Sequence, residues 1–118
     1  MIAVIFEVVP KAGGRQDYLD AAVSLRAHLE ASDGFISIER FESLGQPGKL
    51  LSLSFWRDEE AVAAWRNVPQ HRKTQGKGRV AIFENYRLRI AGVIRDYGMT
   101  DRAQAPKDSR AAHGAPWR

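Results

Sequence analysis

The spacing of apolar residues changes several times along the chain, and each change marks an element. Ile2–Val9 is a dense β-branched run closed by Pro10, which cannot donate to a ladder, and reads as a strand. Gly13 and Gly14 within Lys11–Arg15 mark a turn. From Gln16 to Ala31 the apolar positions Tyr18, Ala22, Leu25 and Leu29 recur at helical spacing, with Asp17 near the positive end of the helix and Gly34 placed to stop it. Phe35–Ser43 predicts a second strand and Leu44–Lys49, with its Gly, Pro and Gly, a hairpin turn. Leu50–Trp56 alternates most cleanly: Leu51, Leu53 and Phe55 face one way, Ser52, Ser54 and Trp56 the other. Asp58 is a strong helix N-cap, Glu59 and Glu60 reinforce it, and Ala61, Val62, Trp65 and Val68 form the buried stripe. Pro69 interrupts. A short helical piece is expected over Gln70–Gln75, ended by Gly76 and Gly78. Ile82–Tyr97 predicts a long last strand with a bulge or bend at Gly92.

The order is β-α-β-β-α-β within residues 1–97, an α+β, ferredoxin-like arrangement of two helices on one face of a four-stranded antiparallel sheet. In the first strand Ile2, Val4, Phe6 and Val8 oppose Ala3, Ile5 and Val9. In the last, Phe83, Ala91 and Val93 oppose Ile82, Leu88, Ile90 and Ile94. Both sides of the sheet are largely apolar, which predicts that a second copy covers the face left open by the helices, in a two-fold homodimer. Residues 98–118, rich in Ala, Pro, Asp and Arg, read as a tail, disordered or laid on the partner subunit.

Length and composition narrow the classes. The 118 residues suffice for one ordinary domain, and 44% hydrophobic with 27% charged residues is a globular profile. The longest apolar runs are too short to cross a bilayer, and the N-terminal run lacks the basic region and cleavage site of a signal peptide, so a cytoplasmic location is expected. With no cysteine, disulfides, thiolate nucleophiles and zinc–thiolate sites are excluded. Half of the net charge of +4 lies beyond Tyr97, which leaves no basic stripe dense enough for nucleic acid.

Chemistry concentrates between Phe55 and Tyr97. His71 follows the second helix, and a neutral imidazole there would serve as a base or an iron ligand; a helix-end surface histidine is the ordinary alternative. Trp65 lies on the apolar stripe, where it packs the core or offers a flat wall to a planar ligand. Trp56 ends a strand and walls either a cavity or a dimer seam. Tyr86 carries a phenol able to donate to a substrate oxygen, or simply packs. Glu7 and Glu39, acidic on apolar strands, suggest cross-subunit ion pairs with Arg87 or Arg89. The basic run Arg72, Lys73, Lys77 and Arg79 reads as a solvated face or an anchor for an anionic group. No histidines or carboxylates stand at metal-ligand spacing, so no metal site is predicted.

The β-α-β-β-α-β order, the FWRDEEAVAAW junction, the following His71 and the final YRLRIAGVIRDY strand together resemble the antibiotic biosynthesis monooxygenase superfamily. The resemblance covers residues 1–97. It implies a dimeric α/β barrel and the oxidation, by dioxygen and without a cofactor, of an aromatic or quinol-like small molecule held between the second helix and the sheet. On that reading His71 and Tyr86 are the catalytic candidates, and Trp65, Trp56, Asn67, Arg72 and Arg87 the substrate-binding ones. A haem-degrading branch is the alternative, with haem as ligand or substrate and His71 on the iron. That branch uses an asparagine on the first strand, where this chain has Phe6 and Glu7. A third possibility is a non-catalytic dimeric barrel that binds a small ligand.

Overall fold

The computed structural model describes residues 1–77 and 82–113; Gly78 and Arg79 of the basic turn lie outside the described residues. The elements follow in the order β1 (Ile2–Pro10), α1 (Arg15–Glu30), β2 (Phe35–Glu42), β3 (Leu50–Trp56), α2 (Glu59–Arg66), α3 (Pro69–Lys77), β4 (Phe83–Gly92) and α4 (Lys107–His113). The four strands make one antiparallel sheet in the order β2-β3-β1-β4, the expected ferredoxin-like topology.

The alternation in β3 sets the two faces. Leu50, Ser52, Ser54 and Trp56 are all buried beneath the helices. Their partners on β1 are Val8, Phe6, Val4 and Ile2, so these share the helix-facing side. Two small cores result, both resting on β1. One joins Val8, Tyr18, Leu50 and Ile82 with Phe6, Leu19 and Phe83 packed against it. The other joins Leu29, Trp56, Ala61 and Val62, flanked by Ile2, Val4, Phe35, Ile38 and Trp65. The opposite face carries Ala3, Ile5, Leu51, Leu53, Phe55 and Ala91, interspersed with Glu7, Arg87 and Arg89. Both core clusters lie on the other side of the sheet.

Several expectations are corrected. β4 ends at Gly92 instead of running on to Tyr97, because its ladder with β1 closes at Ile2 opposite Gly92 and Val93 N–H donates to the Met1 carbonyl (3.0 Å). Gly92 is therefore a strand end, and the irregularity sits at Val9/Pro10 on β1. That shift carries Phe83 to the helix-facing side, away from Ala91. Gly76 lies within α3 and does not end it. Glu7 finds its cations inside the chain, Arg89 at 2.7 Å and Lys49 at 3.3 Å, so it is not left for a neighbouring subunit. The segment beyond Gly98 carries α4, with Ala105 buried ahead of it, and Arg102 and Arg110 bond its carbonyls.

Two glycines fix how the helices meet the sheet. Gly34 has φ of 83°, and a Cβ there would stand 2.6 Å from the Ala61 Cβ, so it permits both the left-handed turn into β2 and the close seat of α2. Gly14, buried at the start of α1, leaves room for the Ile82 carbonyl, which a Cβ would approach to 2.9 Å.

Candidate functional site

The site grows out of the β3–α2 junction. Trp56 is 1% exposed; its indole N–H donates to Ser54 Oγ at 2.9 Å, and the Phe35 ring meets it edge-on at 5.3 Å. The chain then turns on a polar clasp. Arg57 N–H donates to the Gly34 carbonyl (2.8 Å), while its guanidinium grips both oxygens of Asp33 (3.1 and 3.0 Å) and one of Asp58 (3.0 Å). The other Asp58 oxygen accepts from Ala61 N–H at 2.8 Å, which is the N-cap the sequence calls for. The Arg57 guanidinium holds the Asp33 carboxyl below its ordinary range, and the Ala61 N–H followed by Arg57 does the same for Asp58.

α2 projects Trp65 onto this base, its ring 6.3 Å from Trp56 and tilted by 30°. Pro69 opens α3 at a position where its missing N–H costs nothing. His71 follows, stacked on Trp65 with ring centroids 4.6 Å apart and 34° between planes. Its Nδ1 is out of solvent and has no hydrogen-bond partner. Burial is the main cause that pushes its pKa below the usual histidine value; a hydrogen bond from the ring to the Arg66 backbone opposes this and the Arg72 charge adds to it. The result is a neutral imidazole on an indole face, at the end of a Trp56–Trp65–His71 stack.

Tyr86 belongs to a second aromatic group. It lies on the edge strand β4 opposite Val8, with Phe6 at 5.7 Å and Phe83 at 5.9 Å. Leu88 and Ile90 continue its face, opposite Phe6 and Val4. All three are open to solvent, at 38%, 42% and 40%. They form an apolar shelf along the helix-facing side of β4, and β1 is the floor shared with the stack. The structure thus brings Trp56, Trp65 and His71 into contact, whereas Tyr86 stands apart from them, opposite Val8 and six residues along β1 from Ile2, the partner of Trp56. Asn67 and Arg72 are used locally: the Asn67 amide donates to the Ala63 carbonyl (2.9 Å) and accepts from Arg72 (2.9 Å), closing the α2–α3 corner. Arg87 pairs in register with Glu7 and so lies on the sheet face away from the helices. Ser54, Phe6, Leu88 and Ile90 were not singled out by sequence reasoning. The two-residue alternation placing Ser54 with Trp56 is the signal that would have found Ser54.

Two grooves lie elsewhere. One of 450 Å³ runs between α1 and α3, with Asp17 and Asp20 across from Lys73 and Lys77. The other, of 130 Å³, runs between α1 and β2. Neither touches Trp65 or His71. Among the described residues no cluster of side chains could hold a metal ion, and no helix is long and apolar enough to cross a membrane.

The family model for antibiotic biosynthesis monooxygenases matches residues 1–77. The chain belongs to that family. Among its members, a jasmonate monooxygenase of Pyricularia oryzae is 47% identical over 93 residues, which are 79% of this chain and 43% of the fungal protein. The chain therefore spans less than half the length of that relative. An uncharacterised protein of Bacillus subtilis, YqjZ, is 29% identical over 93 residues, 79% of each chain. The fold is similar to that of Rv0793 from Mycobacterium tuberculosis (TM-score 0.73, 18% identity, 82% of this chain and 98% of that one). It is likewise similar to a Deinococcus radiodurans protein described as a putative antibiotic biosynthesis monooxygenase (TM-score 0.71, 14% identity, 83% and 97% covered). At these identities the structural likeness speaks for the fold.

Proposed function

We propose that this member of the family is a cofactor-independent monooxygenase of a small aromatic or quinol-like molecule bound on the shelf between α2–α3 and β1–β4. The observation that carries the reading is His71, whose buried, unpartnered Nδ1 sits against the Trp65 ring. A neutral imidazole in that setting accepts a proton from an acidic hydroxyl or C–H of a planar molecule stacked nearby. The substrate anion then gives two electrons to dioxygen to form a C–O bond and, with a proton, a hydroperoxide; loss of the remaining C–H proton supplies two more as the O–O bond breaks. One oxygen atom enters the substrate as a carbonyl in place of two hydrogens, and the other leaves as water. Trp65 is the flat wall, Tyr86 the donor to the developing oxyanion, and Leu88 and Ile90 the apolar bed that excludes water.

The reading includes a homodimer. The uncovered sheet face, with Leu51, Leu53 and Phe55 flanked by Glu7 and Arg89, suits a second copy as its cover. Jasmonate is the first substrate to test, because the 47% identical relative is named for it. Phenols and quinols follow.

The decisive experiment is oxygen uptake with His71→Ala beside the unaltered protein. Turnover is expected to drop by about tenfold or more with the fold retained, as removal of a general base requires. An unchanged rate would remove His71 from the chemistry. A second reading, haem as ligand or substrate, draws on the same unpartnered nitrogen. A hemin titration followed at the Soret band separates the two: a one-per-subunit shift lost in His71→Ala favours haem, and its absence favours the organic substrate.

A further inference from the structure

Arg40 is placed where an edge strand ordinarily carries an apolar residue. Its register partner is Ser52, on the buried side of β3, so its side chain lies under α1 and not in solvent on the open face. The guanidinium carbon stands 6.0 Å from the centroid of the buried Tyr18 ring. Its Nε is shielded from water and donates to nothing. No ion pair among the described residues includes it. Glu42, on the same side of β2, is taken by Arg15, and Glu30 at the far end of α1 is taken by Arg26.

This cation borders the 130 Å³ groove between α1 and β2, where Leu19, Ala22, Leu29 and Ile38 supply an apolar lining beside Arg26, whose charge is paired with Glu30. Among the described residues no acidic side chain lines it. A shielded guanidinium N–H without an acceptor is costly, and a carboxylate is the group its planar fork matches best. The hydrocarbon lining selects against a bare inorganic anion. The volume corresponds to roughly four water molecules, enough for a carboxylate head and the first methylenes of an aliphatic chain that continues along the open groove.

We infer that the α1–β2 groove is a second ligand site, which takes a short-chain aliphatic carboxylate with its head on Arg40 and its chain along Leu19, Ala22 and Ile38. It is independent of the His71 shelf. It borders the other edge of the sheet, and its occupancy requires no oxidation.

The test is a titration of the full-length, isotope-labelled protein with hexanoate and with hexan-1-ol, followed by amide chemical shifts. Saturable shifts at Leu19, Ala22 and Ile38 with hexanoate are expected, and the alcohol should bind about tenfold more weakly, since it lacks the charge that meets the guanidinium. Arg40→Met should weaken hexanoate by about the same factor. Val23, 73% exposed and part of the groove lining, offers a variant that leaves Arg40 and the cores untouched. Val23→Glu sets a repelling charge there and should also weaken the acid but not the alcohol, which decides the matter even if Arg40→Met folds poorly. No saturable shift in the groove, equal binding of acid and alcohol, or unaltered binding in Val23→Glu would each overturn the assignment.

Discussion

The two ends of the helix-facing surface are built on opposite principles. At the β3–α2 junction Trp56, Arg57, Asp33 and Asp58 all find hydrogen-bond partners within the chain. Trp56 is 1% exposed with its N–H bonded, Asp58 caps α2, and Arg57 ties the turn to Asp33. Along β4 the same face is left open, with Tyr86, Leu88 and Ile90 each about two-fifths exposed. The junction holds the domain together; the shelf is surface that a ligand can bury. His71 is anchored to the junction through Trp65, and its Nδ1 is buried without a hydrogen-bond partner. A rigid base beside an open apolar floor is what a small domain needs to bind a molecule without sacrificing its core.

Substitutions should break this contrast unequally. Trp56→Ala removes the side chain on which Phe35, Trp65 and Leu29 converge, and should cost about 3–5 kcal/mol in urea unfolding. A loss under 1 kcal/mol would mean that the junction is not the anchor. Gly34→Ala forces a left-handed residue against Ala61, and about 1–3 kcal/mol is expected. Since the clash is with α2, the Trp65 fluorescence environment should change as well.

His71 gives a subtler, pH-dependent effect. Above the ordinary histidine value near 6.5 the ring is neutral in folded and unfolded chains alike, and adds no pH dependence. Below it, the unfolded ring takes up a proton that the buried ring resists, so stability declines until the lowered folded value is reached. The slope is at most about 1.4 kcal/mol per pH unit. Urea midpoints from pH 7.5 to 5 should show this decline in the parent and a flatter profile in His71→Ala. Identical profiles would mean that the ring is not desolvated. Glu7, Asp33 and Asp58, held below their ordinary values by their partners, lose their contributions as the pH falls through and below the ordinary carboxylate range, whereas the histidine decline begins near 6.5. The smallest effect on stability is expected from Leu88→Lys, within about 0.5 kcal/mol, because the residue is already exposed. The same substitution should abolish substrate binding on the shelf. A large loss of stability would show that the open strand is part of the core after all.

Much of the fold was legible because the signals were local. Leu50–Trp56 alternates along its whole length, Asp58 is the kind of residue that caps a helix, and Gly34 takes the left-handed conformation its position demands. Errors arose where the deciding partner was distant. The end of β4 depends on where β1 stops offering a ladder, and the facing of Phe83 depends on an irregularity in a different strand. The candidate site divided in the same way. Trp65 and His71 are six residues apart, so their association across the α2–α3 corner was foreseeable. Arg87 and Asn67 appeared equally suitable, yet one lies on the other face of the sheet and the other is spent on a helix corner.

The sequence by itself therefore determined the element order, the capped start of α2, the apolar stripe of α2 and the largely apolar character of both sheet faces, because periodicity and caps act over a few residues. Only the tertiary structure decided which polar groups are spent and which are spare. Glu7 is neutralised by Arg89 and Lys49, whereas the His71 Nδ1 and the Arg40 Nε are buried without a partner. Whether a buried group is satisfied is a property of what lies across from it in space, and no spacing along the chain encodes that.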